Sequence, residues 1–283
     1  MVPTFVIFLR EGIEASMIVA ILLAYLDKLG QRRHFRDVFA GVAAAMGLVL
    51  AGGVAAYLLL TSYAGSRVQT IFETVTFLVA AAVLTSMTFW MQGHARSLSS
   101  ELKRRTDAAL DGRARWGLRI LAFQAVGREG LETMVFTLAI VFASSGRGVI
   151  GGGIVGLVAA LAVAFAIYRL GRRIDIGRFF TVAGAVLMVF AAALLADAVE
   201  NLQLLGWLPV GAHLWNTTRA LPEDGNLGDL LHVLFGYADH PTALQLGVYV
   251  LYLALAVGIF VARRPRRRRA GGPATSPPPA PAT

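Results

Sequence analysis

Apolar residues run through this 283-residue chain in long blocks, and polar residues collect between them. Seven runs can be marked, at about 4–26, 38–61, 72–92, 117–143, 148–169, 179–200 and 243–262. An α-helix rises about 1.5 Å per residue, so about 20 residues cross the roughly 30 Å hydrocarbon core of a bilayer. Each run is of that order, and the pattern predicts an all-α polytopic membrane protein with seven transmembrane helices.

Charge interrupts two of the runs in the same way. Arg10-Glu11-Gly12-Ile13-Glu14 stands in the first and Arg128-Glu129-Gly130-Leu131-Glu132 in the fourth. An Asp, Lys or Arg at the centre of a membrane helix costs roughly 2.5–3.5 kcal/mol on the insertion scale, so three charges in one helix must face protein, one another or a water-filled path. Residues three apart share a helix face, with Cβ atoms roughly 5–6 Å apart, so Glu11 and Glu14 can converge, as can Glu129 and Glu132. Two such pairs make a cage for a hard cation. Helical i, i+4 spacing also predicts ion pairs Arg10–Glu14 and Arg128–Glu132, which leave Glu11 and Glu129 without a partner. Gly12 and Gly130 bare the helix surface between the acids and predict close approach of a partner helix or the ion.

The connections carry the orientation. Most of the 26 Lys and Arg residues fall after the first, third, fifth and seventh runs, from Lys28 to Arg36, Arg96 to Arg115, Arg169 to Arg178 and Arg263 to Arg269. Only Arg67, Arg147 and Arg219 occupy the alternate loops. The positive-inside rule then puts the amino terminus outside the cell and the carboxyl terminus in the cytoplasm of a plasma-membrane protein. Three helices separate the two motifs, and an odd number reverses direction. The runs within about 1–92 and about 117–200 therefore read as a 3+3 inverted repeat, with 201–242 an extracytoplasmic segment and 243–262 an added seventh helix. Residues 1–262 form one permease-like domain, and 263–283 a basic, then Pro- and Ala-rich tail expected to be disordered in the cytoplasm.

Composition narrows the classes. The chain is 57% hydrophobic and 15% charged, with a formal net charge of +9 and no cysteine. Nucleic acid is not a partner on this reading, because the Arg residues sit in loops between apolar runs and not on the basic face of a soluble module. Without thiolates, a metal must be held by oxygen, nitrogen or methionine sulfur. Met1 to Leu9 lacks a positive start, so the first helix is expected to stay in the mature protein.

Further acids mark the outer ends of the third and sixth runs, at Glu73 and at Asp197-Ala198-Val199-Glu200. The segment 201–242 adds Glu223, Asp224, Asp229 and Asp239 with His213, His232 and His240, and Leu227 to Tyr237 has the pattern of a short surface or re-entrant helix. A cation arriving from outside would meet this anionic rim before the buried carboxylates. Gly152-x-x-x-Gly156, and Gly41 with Ala45, are read as helix-packing faces.

At its two R-E-G-x-E motifs the sequence resembles the oxidase-dependent iron transporter family, which comprises the fungal high-affinity iron permeases and the bacterial elemental ferrous iron uptake permeases. Asp197 to Glu200 is similar to an outer D-x-x-E element of the fungal members. The resemblance implies that Glu11, Glu14, Glu129 and Glu132 bind iron in transit, with Arg10, Arg128, Gly12 and Gly130 supporting them and Asp197, Glu200 and Glu73 at the rim. It implies inward transport of ferric iron supplied by an extracytoplasmic oxidase or periplasmic iron-delivery proteins, with no resident cofactor. A permease for lead or manganese, or a proton or other cation carrier, would use the same buried acids and stays open. An intramembrane metalloenzyme is disfavoured, since no E-x-x-H or H-E-x-x-H stands in the runs.

Overall fold

The computed structural model describes residues 1–94, 98–111, 116–144, 148–170, 176–223 and 225–262. Among them are nine α-helices: α1 Val2–Lys28, α2 Phe35–Thr61, α3 Arg67–His94, α4 Leu98–Asp111, α5 Gly117–Ala143, α6 Val149–Leu170, α7 Ile176–Leu204, α8 Asn226–Phe235 and α9 Ala243–Ala262. One 3-10 turn, Arg32–His34, precedes α2, and the only β pairing among the described residues is the single bridge His213–Thr242. The tail 263–283, Arg96, Arg113, Arg115, Arg147 and Asp224 lie outside the described residues.

Four segments are long and apolar enough to cross a membrane by length and composition: Arg32–Leu59, Arg67–Trp90, Val149–Ala166 and Thr181–Leu204. α1 and α5 match them in length, at 27 residues each, but carry the charged motifs. Apolar side chains cover the outer faces, including Leu50, Val54 and Leu58 on α2 and Ile150, Val158 and Phe165 on α6. The interior holds Arg10, Glu11, Glu14 and Glu129. A chain that turns apolar residues outward and charges inward is built for lipid.

Packing is pairwise. α1 lies mainly on α6, α2 on α5 and α3 on α7, with α9 against α7 and α1 touching α5 at the centre. Small residues set the first two contacts. A Cβ added at Gly152 or Gly156 of α6 would strike the backbone oxygens of Met1 and Phe5, and one at Gly41 of α2 would strike the Arg119 oxygen and the Ala122 side chain. One helix turn or two further along, Gly12 faces Ala160 and Gly130 faces Val49. The spacing is the same in both seams: Gly152 to Ala160 and Gly41 to Val49 are eight residues, Met1 to Gly12 and Arg119 to Gly130 eleven.

α4 replaces what reads in sequence as a basic loop. It is a 14-residue amphipathic helix whose Leu102 and Thr106 are buried, packed on α1 and α5. Tyr25 donates to Asp107 at 2.7 Å, and Asp37 accepts from Arg119 at 2.7 Å and lies 2.9 Å from His34 Nδ1, so the ends of α1, α2, α4 and α5 are tied at one level. α8 is the short helix expected between Leu227 and Tyr237, stopped by Gly236 at φ 67°, where the αL conformation suits glycine.

Overpacking a close helix contact costs about 1–3 kcal/mol. Gly156→Leu should therefore lower the thermal unfolding midpoint of detergent-solubilised protein by several degrees, whereas Gly47→Leu, with nothing within 4 Å of its Cβ position, should not. Fluorescence-detected size exclusion after heating reads both; equal midpoints would remove the seam from the account of stability.

Candidate metal centre

The two motifs meet where α1 crosses α5. Glu11, Glu14 and Glu129 each offer a carboxylate oxygen to one point, these atoms lying within 4.8 Å of one another. All three are buried, at 2%, 7% and 7% exposure. Glu132 stands outside this triad, held by Arg128 Nε at 2.9 Å.

The arginines behave differently. Arg10 is 2% exposed and reaches both acids of its own motif, Nη1 to Glu11 at 2.8 Å and Nη2 to Glu14 at 3.3 Å, and Nη1 also donates to Met87 Sδ of α3 at 3.1 Å. The helical spacing predicts only the Glu14 contact. A buried guanidinium turns its two Nη groups to both carboxylates, because an unpaired N–H in the interior is costly, while Arg10 Nε makes no hydrogen bond among the described residues. Arg128 keeps a half-exposed side chain and lies over the Trp90 ring, 4.9 Å from its centroid, a cation–π contact. The Trp90 ring thus lies against the second motif.

Four glutamates against two arginines leave negative charge over. Glu11 Oε2, Glu129 Oε2 and Glu132 Oε2 are buried and make no hydrogen bond among the described residues, and Glu14 Oε1 has only the 3.3 Å ion pair to Arg10 Nη2. Buried carboxylate oxygens without donors favour a cation, and the all-oxygen set suits a hard ion.

A second group lies toward the other end of α3. Glu73, Asp197, Glu200, Asn201, Glu223 and His232 line a cavity of about 320 Å³. Gln69 donates to Glu73 at 2.7 Å, and Gln245 of α9 donates to Glu200 at 2.9 Å. Asp197 is 8% exposed, and its Oδ2 makes no hydrogen bond among the described residues. His232 sits between Asp197 and Glu223, its Nε2 3.7 Å from Asp197 Oδ1 and its Nδ1 3.3 Å from Glu223 Oε1. Burial opposes its protonation, but the carboxylates of Asp197 and Glu223 outweigh burial and hold the imidazole above its ordinary value. His240 lies apart, hydrogen-bonded to Asp239, which raises its pKa. Asn201 and Met87 are residues that the sequence alone did not single out at these two groups, whereas Glu223 was expected only as part of the anionic rim. Asn201 follows the D-x-x-E element directly, and Glu223 stands in the anionic segment, but no spacing signal connects Met87 to Arg10.

The whole chain carries the same signature. The profile of the iron permease FTR1 family matches residues 1–266. This chain belongs to the iron permease FTR1 family. It is 34% identical over 262 residues to the ferrous iron permease EfeU of Yersinia pestis, covering 90% of this chain and 92% of that protein. EfeU of Yersinia pseudotuberculosis serotype I is 35% identical over 262 residues, 90% of each chain, and that of Escherichia coli O6:K15:H31 30% over 263 residues, 91% and 94%. No solved structure matches. An FTR1-family permease with these apolar helices is a membrane protein, and iron transport is its family's function.

The glycine beside the acids sets how closely the flanking helix lies. A Cβ at Gly12 would come within 2.7 Å of the Ala160 Cβ, and one at Gly130 within 2.8 Å of Val49 Cγ2. Gly12→Ala should cut iron uptake several-fold at unchanged membrane abundance, and Ala160→Gly should restore it; Val49→Ala should likewise relieve Gly130→Ala. Uptake per immunodetected protein measures this. Failure of both second changes to restore uptake would mean that the glycines serve the ion directly.

Proposed function

We propose that this chain is a plasma-membrane permease that carries iron inward through the carboxylates of Glu11, Glu14 and Glu129, with Glu132 and the two arginines balancing charge. The observation that carries the reading is the convergence of three buried glutamates from the two motifs on one point, with oxygens left undonated. The iron is ferric, oxidised and handed over by an extracytoplasmic oxidase or periplasmic delivery proteins, because three carboxylates form a hard donor set. At roughly 2.3 kcal/mol per charge per 100 mV, a trivalent cation gains about 7 kcal/mol on entering a cell that is negative inside. A second reading, direct passage of ferrous iron, is favoured by the name of the relatives, ferrous iron permeases. Uptake into liposomes holding only this chain, with iron supplied either as ferric citrate or as ferrous ion under ascorbate, decides between them.

The proposed architecture is seven spans, α1, α2, α3, α5, α6, α7 and α9, with α1–α3 and α5–α7 as an inverted repeat. The support is the exchange of contacts: α1 on α6 and α2 on α5 are the same contact if the halves are copies, down to the equal glycine spacing. The amino terminus is outside and the carboxyl terminus cytoplasmic. Single cysteines at Ser66 and Ser99 should then label from opposite sides of the membrane; labelling from one side would refute the topology.

Depth separates the two acidic groups in function. Glu→Gln keeps size and removes charge, so Glu11→Gln or Glu129→Gln should abolish uptake at every iron concentration. Asp197→Asn with Glu200→Gln, at the outer end where water shares the work, should mainly raise the concentration for half-maximal uptake. Saturation curves at matched surface expression give both parameters. A rim variant that lost its maximal rate, or a Glu129→Gln variant that recovered at high iron, would reassign the acids.

A further inference from the structure

The outer cavity holds an imidazole set up as a ligand. His232 Nδ1 lies 2.8 Å from the Tyr237 backbone oxygen. A carbonyl oxygen only accepts, so Nδ1 carries the proton and Nε2 is the free face of the ring. Histidines that bind metals almost always donate their other nitrogen in this way, which fixes the tautomer and aims the ligand. The αL turn at Gly236 makes the geometry possible by bringing Tyr237 back to the last turn of α8.

Nε2 points at Asp197. The 3.7 Å between Nε2 and Asp197 Oδ1 is longer than a hydrogen bond, and it is a span that one metal ion can bridge, with ligand distances near 2.1 Å on each side. Asp197 Oδ2 is buried without a donor beside them, and Glu73, Glu200 and Glu223 line the same cavity from α3, α7 and the segment before α8. We propose that His232 Nε2 and Asp197 coordinate a transition-metal ion in this cavity, with the neighbouring carboxylates completing the shell. The proposal rests on the permease reading only for the biological identity of the ion.

The chemistry sets its selectivity. Carboxylates alone accept calcium and magnesium readily, whereas an imidazole favours first-row transition metals over both. His232 is then the residue that tells iron from the alkaline-earth ions that outnumber it outside, before the ion reaches the all-oxygen triad. No histidine belongs to that triad, so nitrogen ligation is diagnostic of the outer station.

The test uses Mn²⁺ as a paramagnetic probe on the full-length, tag-free protein in detergent, read by electron-spin-echo envelope modulation. Wild-type protein and the Glu129→Gln variant should both show coupling to a ¹⁴N nucleus, replaced by ¹⁵N coupling when the protein carries ¹⁵N-histidine. His232→Gln should abolish the coupling and weaken Mn²⁺ binding at this site about tenfold or more, since even a lost outer-shell partner costs that much. Calcium should compete better against Mn²⁺ in His232→Gln than in wild type. Asp197→Asn should weaken the same coupling and provides the comparison if His232→Gln folds poorly. Absence of nitrogen coupling in wild type, or its persistence in His232→Gln through His213, His240 or another ring, overturns the assignment. Coupling that disappears as expected in a protein inactive in iron uptake would leave this site standing and remove the transport reading instead.

Discussion

Uncompensated carboxylate charge in a low-dielectric interior is the constraint on which the rest of the structure depends. Moving an ionised carboxylate out of water without a partner costs far more than the few kcal/mol by which a fold is stable. Arg10 is fully buried and divides itself between Glu11 and Glu14, while Arg128 serves Glu132 from a half-exposed position. Glu129 has neither a paired arginine within 4 Å nor a donor for Oε2 among the described residues. The site is thus short of positive charge, which on the proposed function the transported cation would supply. Full neutralisation by two more arginines would make a better-balanced core and a worse site, because the ion would have nothing to replace.

Close helix contact follows from the same constraint. Carboxylates on two helices converge within 4.8 Å only if α1 and α5 are pressed together by α6 and α2 behind them. In lipid no hydrophobic force drives that approach, so it depends on backbones with little between them. Gly12, Gly130, Gly41, Gly152 and Gly156 provide this, each with a neighbour where a Cβ would stand. The glycine inside each motif therefore helps to set how closely the carboxylates converge even though it has no ligand atom.

Much of this was legible in the chain, for a physical reason: lipid tolerates so few backbone and charge patterns that long apolar runs and their interruptions are informative. The runs fall on helices, 243–262 coincides with α9, and the glycine faces at Gly41 and Gly152 to Gly156 are contact faces. α4 escaped because its buried side is only a stripe, Leu102 and Thr106 among charges, and a basic connection reads as loop. Arg10's preference for Glu11 escaped because i, i+4 spacing describes an isolated helix surface, not a buried guanidinium pressed from several sides. The meeting of His232 with Asp197 and Glu223 was equally beyond reach, since it depends on how the segment 201–242 folds back over α7. Periodicity carries no record of such long-range loop placement.

The two acidic groups are not in open communication. Along α3, Glu73 and Met87 are fourteen residues apart, about 21 Å of helix, and the turns between them hold Phe77, Ala80, Ala81 and Leu84. These pack with Ile7 of α1, Phe136 and Ile140 of α5, and Phe190 and Leu194 of α7 into one buried apolar layer. An ion with its hydration shell cannot cross a layer packed to the density of a protein interior, and a bare ion would forfeit its hydration there. The described arrangement is accordingly closed between cavity and triad. The layer is built mainly by the α3–α7 pair and the α1–α5 centre, with Val149 of α6 and Val233 of α8 added. The glycine seams tie α1 to α6 and α2 to α5, whereas α3 and α7 pack mainly on each other.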